Sequence, residues 1–276
     1  MAILNFDQQS QGVPVEEKSR RGIQSIEIGS KLLSELSRHL APMALKDLSK
    51  AAGLSTGKAH PYLVSFLKVG FVQQDAASRY ELGPLALQLG LTKLRRLDPV
   101  KEAAQYMTDL AESTGQSIAL SVWGNFGPTI VRMEEPLEPL HVNLRTGTVM
   151  SIANTATGRL WAAYLPPKVV ERHMNDELAR LGTVGSREAT ITRAEVQAHI
   201  AETLAHGLSR SLNMPVPGIN GLCAPVFDGE GHIVLGILAM GPAATFDAAW
   251  DGPSAKALRA CADEVSSRIG FRAAAA

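Results

Sequence analysis

The sequence predicts an α+β protein of two domains, in which a small helical N-terminal domain precedes an antiparallel sheet covered by helices. Three observations support this prediction. The length of 276 residues exceeds that of one typical domain. Apolar residues at helical spacing, followed by a short alternating hairpin, fill residues 25–82. Beyond residue 99, amphipathic helical segments are interspersed with strand-like apolar runs, which end in a strongly apolar hairpin.

The composition is that of an ordinary globular chain, with 45% hydrophobic and 20% charged residues. No uninterrupted apolar run reaches the roughly 18 to 20 residues of a membrane span, and the N-terminus lacks the features of a secretory signal. The two cysteines, Cys223 and Cys261, have no metal-type spacing and require no disulfide. We therefore expect a cytoplasmic protein with no membrane contact, no metal and no cofactor.

The N-terminal domain is predicted over residues 21–83, after a polar tail over residues 1–20 that we expect to be mobile. A first amphipathic helix covers residues 25–40 and a second ends at Ala52. Gly53 follows, and glycine adopts a left-handed backbone conformation at little energetic cost. Ser55 and Thr56 are suitable N-cap residues for a third helix that stops at Gly70.

Two alternating segments, residues 71–74 and 79–82, complete the domain as a hairpin. Helix, turn, helix and hairpin form a winged helix-turn-helix, whose second motif helix enters the major groove of DNA. The alternative is a helical hairpin that only packs a core. Charge favours DNA binding, because residues 18–96 hold 13 Lys and Arg against 5 Asp and Glu, a balance of +8, in a chain of net charge zero.

The expected partner is double-stranded promoter DNA. Residues of the third helix that can donate hydrogen bonds, or that lie at its N-terminus, should face the groove, with one arginine of the wing near the backbone. For Tyr62, partial burial against the first helix is an equal alternative. The predicted DNA-binding residues are Ser55, Thr56, Lys58, His60, Tyr62, Ser65 and Arg79.

Residues 84–98 are predicted to form a linker helix. Leucines occur on more than one side of it, which is unusual for a helix exposed between two domains unless another helix covers it. We interpret it as a dimerisation element; the alternative is a helix buried within one domain.

The second domain is predicted over residues 99–276. One amphipathic helix should cover residues 100–114, and residues 209–220, rich in proline and glycine, should be irregular. The other predicted helices are residues 155–164, 169–181, 192–206 and 253–269, and the predicted strands are residues 117–122, 129–133, 140–144, 222–227 and 233–240.

Several short segments, in this order and spacing, make the chain resemble the IclR family of bacterial transcription factors over about residues 25–270. They are Gly53-Leu54 with Lys58-Ala59-His60, Arg79 to Gly83, Leu110 to Gly115, Ala156-Thr157-Gly158-Arg159, and Ala224 to Asp228. The resemblance implies a winged helix, a GAF-like α/β effector-binding domain, and homodimers that often pair into tetramers on promoter DNA.

The chain departs from the family pattern in two places. Pro61 stands where members commonly have arginine, and its ring conflicts with the carbonyl of Gly57 in a helix that already runs from Thr56. We therefore expect that helix to be distorted near Gly57 or to start nearer His60. The second departure is the stretch 210–214, which lacks the acidic cluster that many members carry there.

An effector site is expected between the loop 146–154, the start of the helix at Thr155, the segment 209–213 and the final hairpin. Its predicted residues are Met150, Ser151, Asn154, Thr155, Arg210, Ser211, Asn213, Leu222, Leu238 and Met240. The helix N-terminus suits a carboxylate, and Arg210 could pair with it, unless it is a solvated loop side chain. The resemblance implies a small organic acid, with an aromatic carboxylate ahead of an aliphatic keto acid or a neutral apolar compound, and control of a catabolic operon.

Catalysis is not expected. The seven histidines are scattered, and no nucleophile elbow or phosphate loop is present. Ser151 and Cys223 are possible nucleophiles without a recognisable base. A cytosolic enzyme with an accessory winged helix, and a regulator that answers to no small molecule, remain the alternatives.

Overall fold

The computed structural model describes residues 22–39, 41–136, 144–181 and 191–272. The chain divides after Arg96 into two compact units, called here the N-terminal and C-terminal units. This boundary falls inside the predicted linker, although the linker helix clusters with the N-terminal unit. The tail predicted to be mobile, residues 1–20, lies outside the described residues.

The N-terminal unit is a three-helix arrangement with a two-stranded wing and a following helix. Its elements are α1 (Gln24–Arg38), α2 (Leu45–Ala51), α3 (Thr56–Val69), β1 (Val72–Gln74), β2 (Tyr80–Leu82) and α4 (Pro84–Arg95). Leu32, Leu48 and Leu63, from three different helices, are completely buried in its core. Met43 exchanges backbone hydrogen bonds with Tyr80 of the wing, which ties the hairpin to the helices. This confirms the predicted winged helix-turn-helix.

The turn between α2 and α3 is built as the sequence predicts. Gly53 has a left-handed φ of 66°, and the Leu54 N–H donates to the Ser49 carbonyl at 2.9 Å. Ser55 is the N-cap of α3, because its side chain accepts from the Lys58 N–H at 3.3 Å. Gly70 ends the helix with a φ of 80°.

The expectation for Pro61 is wrong. Helix α3 begins at Thr56 and continues without interruption through Pro61 to Val69. Proline removes the one N–H that would reach the Gly57 carbonyl. Gly57 and Pro61 are both exposed, so that carbonyl can bond to water.

The C-terminal unit is a five-stranded antiparallel sheet with helices on both faces, which confirms the predicted α+β class. Its strands are β3 (Ser117–Gly124), β4 (Gly127–Glu134), β5 (Ser209–Leu212), β6 (Ile219–Phe227) and β7 (Ile233–Pro242), in the order β4-β3-β7-β6-β5. Its helices are α5 (Pro99–Ala104), α6 (Met107–Thr114), α7 (Ala156–Tyr164), α8 (Pro167–Leu181), α9 (Arg193–His206) and α10 (Pro253–Arg268).

Alternate residues of the central strands face two different cores. Leu222 and Ile237 face the core formed with α6 and α10. Cys223 and Leu238, one residue along each strand, face the core formed with Leu160 and Trp161 of α7. Because the side-chain period of a strand is two, this alternation decides which residues can reach the α7 side.

Two predicted elements of this unit differ in the structure, and a third lies almost entirely outside the described residues. The helix expected over residues 100–114 is split into α5 and α6, because the Gln105 and Tyr106 N–H groups donate to carbonyls three residues back, as in a turn. The segment expected to be irregular contains β5, which pairs with β6 along residues 209–212. The strand expected over residues 140–144 lies outside the described residues, apart from Leu144, which is not in a strand.

Gly158 marks a very close approach between α7 and the segment before it. A Cβ at this position would lie 2.0 Å from the Ser151 carbonyl oxygen and 2.4 Å from the Ile152 Cα. We expect Gly158→Ala to destabilise the C-terminal unit by about 1 to 3 kcal/mol, the usual cost of overpacking. Thermal unfolding followed by tryptophan fluorescence measures this, since all three tryptophans lie in that unit.

The control is Gly90→Ala in α4, where an added Cβ meets nothing within 4 Å. It should leave the fluorescence transition unchanged. Equal transitions for the two variants would contradict a backbone contact that requires glycine.

Candidate functional site

The outer face of α3 carries most of the residues predicted to contact DNA. Ser55, Thr56, Lys58, His60 and Ser65 are exposed, whereas Ala59 and Leu63 on the inner face are buried. Tyr62 is half-buried. It lies beside Gly29 of α1, where an added Cβ would be 3.4 Å from its ring. The structure therefore places Tyr62 against the first helix, as the alternative for this residue stated.

Hydrogen bonds within α3 leave some of these side chains available and engage others. Ser65 donates its hydroxyl to the Pro61 carbonyl at 3.0 Å, and Ser55 caps the helix. The Lys58 ammonium and the His60 ring have no partner among the described residues and stand in solvent. Lys58, His60 and the Thr56 hydroxyl can therefore bind an external partner without breaking a bond within the described residues.

The wing arginine is bound within its own turn. The Arg79 guanidinium donates to the Asp75 carboxylate, with Nε 2.8 Å and Nη2 2.7 Å from Oδ2. The other carboxylate oxygen accepts the backbone N–H groups of Ala77 and Arg79 at 2.9 Å each. The Arg79 N–H and guanidinium lower the pKa of Asp75. Arg79 therefore shapes the wing, while half of its side chain remains accessible.

Helix α4 buries none of its residues. Leu87, Leu91 and Leu94 lie on one helical face and expose 64%, 44% and 62% of their surface. An isolated helix with such an apolar face usually has a partner.

A cavity of about 230 Å³ lies on the α7 side of the sheet in the C-terminal unit. Its walls are the loop before α7, the first turn of α7, and strands β5, β6 and β7 with the loop between β5 and β6. Six of the predicted effector residues line it: Met150, Ser151, Thr155, Ser211, Leu238 and Met240. The residues that sequence reasoning missed are Leu144, Thr148, Val149, Ala156, Thr157, Met214, Pro215, Val216, Ile219, Asn220 and Gly221.

The predicted inward role of Arg210 is wrong. Strand β5 places Ser211 in the cavity, so Arg210 points to the other side of the strand. Its guanidinium lies 3.4 Å from the Glu202 carboxylate and 4.2 Å from the centre of the Trp250 ring. Both the inward prediction and the alternative of a loop side chain fail, because this segment is a strand.

Three other predicted effector residues do not line the cavity. Leu222 faces the opposite core, because it alternates with Gly221 and Cys223 along β6. Asn213 adopts a left-handed φ of 53° and closes a turn: its N–H donates to the Asn220 side chain and its own Oδ1 accepts from the Gly218 N–H. Asn154 is buried behind the loop, and its side-chain atoms have no hydrogen-bond partner.

The cavity is apolar and lacks charged side chains among the residues that line it. Its polar groups gather at the start of α7. The Thr155 side chain caps the helix by accepting from the Gly158 N–H at 2.9 Å. The N–H groups of Ala156 and Thr157 find no partner among the described residues, as expected in a first turn. The Thr157 hydroxyl is fully buried. It meets no nitrogen or oxygen partner among the described residues, but it lies within hydrogen-bonding reach of the Cys223 thiol.

Arg159, which follows Gly158 in α7, stabilises this region without lining the cavity. It is 5% exposed and donates to the Ala153 carbonyl at 3.3 Å and to the Arg210 carbonyl at 2.7 Å. Desolvation lowers the pKa of the guanidinium to about 10, so it stays charged at neutral pH. Its hydrogen bonds join the loop before α7 to the edge strand β5.

Among the described residues, the candidate metal ligands are dispersed and the candidate nucleophiles are buried or engaged. Within the described ranges, no three His, Cys, Asp or Glu side chains are grouped as metal ligands would be. Burial raises the pKa of the Cys223 thiol, which makes it inert. The Ser151 hydroxyl donates to the Glu177 carboxylate and its oxygen accepts the Asn154 N–H, so it is engaged in the turn before α7. None of the described helices has the length and hydropathy needed to span a membrane.

A winged helix-turn-helix with an exposed donor face, joined to a unit with an apolar cavity, defines the class of helix-turn-helix transcriptional regulators. Comparison with known families agrees. Residues 25–76 match the IclR helix-turn-helix domain, and residues 91–267 match the C-terminal domain of bacterial transcriptional regulators of the IclR type. The protein belongs to the IclR family of transcriptional regulators.

Individual relatives extend over most of the chain. A glycerol operon regulatory protein of Streptomyces griseus is 30% identical over 254 residues, which cover 91% of this chain and 98% of the relative. The glycerol operon regulatory protein of Streptomyces coelicolor is 30% identical over 75% of this chain and 80% of its own length. The crystal structure of Pseudomonas aeruginosa HmgR aligns with a TM-score of 0.81 and 31% identity, covering 90% of this chain and 99% of HmgR. Since the family consists of regulators, the prediction that this chain is not an enzyme is confirmed.

Proposed function

We propose that the protein is a homodimeric regulator that binds promoter DNA through α3 and the wing and responds to a small organic acid in the C-terminal cavity. The observation that carries this proposal is the pairing of two features in separate units. One is a basic unit with free donors on α3, and the other is an apolar cavity that ends at the start of α7. Promoter binding implies a cytoplasmic location, and the regulated genes would form a catabolic operon.

In the proposed DNA complex, Lys58 and His60 contact base edges or phosphates in the major groove. Ser55 and Thr56, at the helix N-terminus, lie where N–H groups and the helix dipole favour phosphate. Ser65 can accept a bond while donating to Pro61, and Tyr62 would contribute only its edge. Arg79 would approach the backbone as part of the Asp75 ion pair, so its contribution to charge neutralisation should be smaller than that of Lys58.

The exposed leucine face of α4 supports dimerisation, with the same face of a second copy as partner. A symmetric dimer presents two α3 helices, and so requires an inverted repeat whose half-sites are in register with the helical turn. Such dimers can pair into dimers of dimers on longer promoters.

For the effector we propose an aromatic carboxylate. The cavity walls, among them Leu144, Met150, Leu238 and Met240, suit a flat apolar body. Its carboxylate would accept from the N–H groups of Ala156 and Thr157, which lack a partner among the described residues, and from the Thr157 hydroxyl, which would turn to it from the weakly accepting Cys223 thiol. The helix dipole supplies the favourable potential that a charged side chain would otherwise provide.

The absence of charged residues from the cavity lining favours a neutral apolar compound as the second candidate. A small aliphatic keto acid would leave much of the apolar wall uncovered and ranks behind it. The Streptomyces relatives are named for a glycerol operon. Glycerol is therefore a useful comparison ligand, although its three hydroxyl groups match the apolar walls poorly.

Replacing Lys58 by Ala should weaken promoter binding about equally at all sequences if the ammonium contacts phosphate, and should reduce the slope of log K against log salt by about one unit. Gel-shift titrations at several salt concentrations measure both. Lys68→Ala, at the far end of the same helix, is the charge-matched control and should change binding less. An unchanged affinity and slope in Lys58→Ala would remove this residue from the interface.

Titration calorimetry should detect benzoate binding to the wild type, with benzyl alcohol, pyruvate and glycerol as comparison ligands. Thr157→Val keeps the side-chain shape but removes the hydroxyl, and should weaken benzoate binding about tenfold or more. Arg210→Ala should bind as the wild type does, because Arg210 faces away from the cavity. If benzyl alcohol binds and benzoate does not, the effector is a neutral compound and the proposed acid is wrong. Loss of binding in Arg210→Ala would contradict the structure of β5.

Substituting Leu91 by Glu should raise the dimer dissociation constant, since a charge would be buried in the apolar contact of two α4 helices. Analytical ultracentrifugation over a concentration series measures this. Gln88→Glu, an exposed neighbour that gains the same charge, is the control and should dimerise normally. Equal dissociation constants for the two variants would place the dimer contact elsewhere.

A further inference from the structure

The turn formed by residues 151–154, directly before α7, is held by a carboxylate from another helix. Glu177 of α8 accepts the Ile152 N–H at 2.7 Å on Oε2 and the Ala153 N–H at 3.2 Å on Oε1. The Ser151 hydroxyl donates to the same carboxylate. Ile152 and Ala153 are almost completely buried, so water cannot readily replace these bonds. One side chain thus satisfies three donors of the turn.

Glu177 is carried to this turn by an apolar stripe on α8. Val170 and Met174 are buried and pack in the same cluster as Ile152 and Ala153. Residues 170, 174 and 177 follow helical spacing, so the carboxylate continues the face that these two side chains define. Asp176, its neighbour in sequence, is exposed and has no partner among the described residues.

A continuous set of hydrogen bonds leads from Glu177 to the polar end of the cavity. The Ser151 Oγ, besides donating to Glu177, accepts the Asn154 N–H at 2.9 Å. The Ser151 carbonyl accepts the Thr155 hydroxyl at 2.6 Å. The Thr155 oxygen in turn accepts the Gly158 N–H in the first turn of α7. Ser151 and Thr155 both line the cavity.

We propose that Glu177 is a positioning residue for effector binding. It does not line the cavity itself and acts through the turn, which it holds in the shape that presents the α7 N-terminus to the ligand. Because Glu177 occupies the N–H groups of residues 152 and 153, an effector carboxylate is directed to the free groups at residues 156 and 157. This inference rests on the effector role proposed above for the cavity.

The same contacts couple α8 to effector binding. Any ligand-induced shift of Ser151 or Thr155 changes the distance between the turn and the Glu177 carboxylate. Helix α8 therefore responds to occupancy of a cavity that it does not line.

The test compares Glu177→Gln with Asp176→Asn in the full-length protein. Both remove one negative charge from neighbouring positions of α8, but only the first also removes an acceptor from the turn. Glutamine presents an amide NH₂ in place of one carboxylate oxygen and so leaves a buried N–H or hydroxyl without its acceptor. Hydrogen exchange by mass spectrometry on the unliganded proteins measures how well the backbone N–H groups of the turn are protected. Calorimetry with benzoate measures the effect on ligand affinity.

We expect faster exchange in peptides covering residues 151–158 in Glu177→Gln only, and a benzoate Kd raised about tenfold with little change in the Asp176→Asn protein. Glu177→Asp keeps the charge on a shorter side chain, so its exchange rate and its benzoate Kd should lie between those of the other two variants. It also provides the test if Glu177→Gln does not fold. Unchanged exchange in Glu177→Gln and Glu177→Asp overturns the proposal, as does an unchanged benzoate Kd. If benzoate fails to bind the wild type, the proposed effector class is wrong, and the exchange result still decides whether Glu177 holds the turn.

Discussion

The chain before α7 runs through the interior of the C-terminal unit, and every backbone group there needs a partner other than water. Glu177, Thr155 and Arg159 supply these partners from three directions. Gly158 allows α7 to approach so closely that the Ser151 carbonyl occupies the space of a missing Cβ. The position of the cavity, the free N–H groups at its polar end and the link to α8 all follow from this arrangement.

A helix N-terminus suits the role of ligand-binding group in such a site. A buried arginine in the cavity would require a permanent counter-charge, because an unpaired charge in an apolar site is costly. The unit instead keeps Arg159 behind the cavity with carbonyl partners, and Arg210 on the outside with Glu202 and Trp250. Backbone N–H groups carry only partial charges, so an apolar cavity can offer them to the proposed anionic effector without a buried charged side chain.

In the N-terminal unit, one carboxylate has two roles at the wing. Asp75 both closes the turn through backbone N–H groups and binds Arg79. The hairpin thereby has a defined shape before it meets DNA. Helix α3 carries two exposed lysines, Lys58 near its start and Lys68 in its last turn. Pro61 lies between them, in turns that are exposed and therefore tolerate it.

Local patterns in the sequence determined the winged helix, the end of α3 at Gly70 and the antiparallel hairpin of β6 and β7, because turn chemistry and apolar periodicity act over a few residues. They also indicated the elements that surround the cavity, and six of its lining residues. Tertiary structure alone decided the rest. Whether residues 209–212 form a strand depends on pairing with β6, and that pairing sets the alternation that turns Arg210 outward and Ser211 inward. Glu177 could not be associated with the turn from sequence, because it lies 24 positions after Ala153 and only the packing of α8 brings its carboxylate to the N–H groups of Ile152 and Ala153.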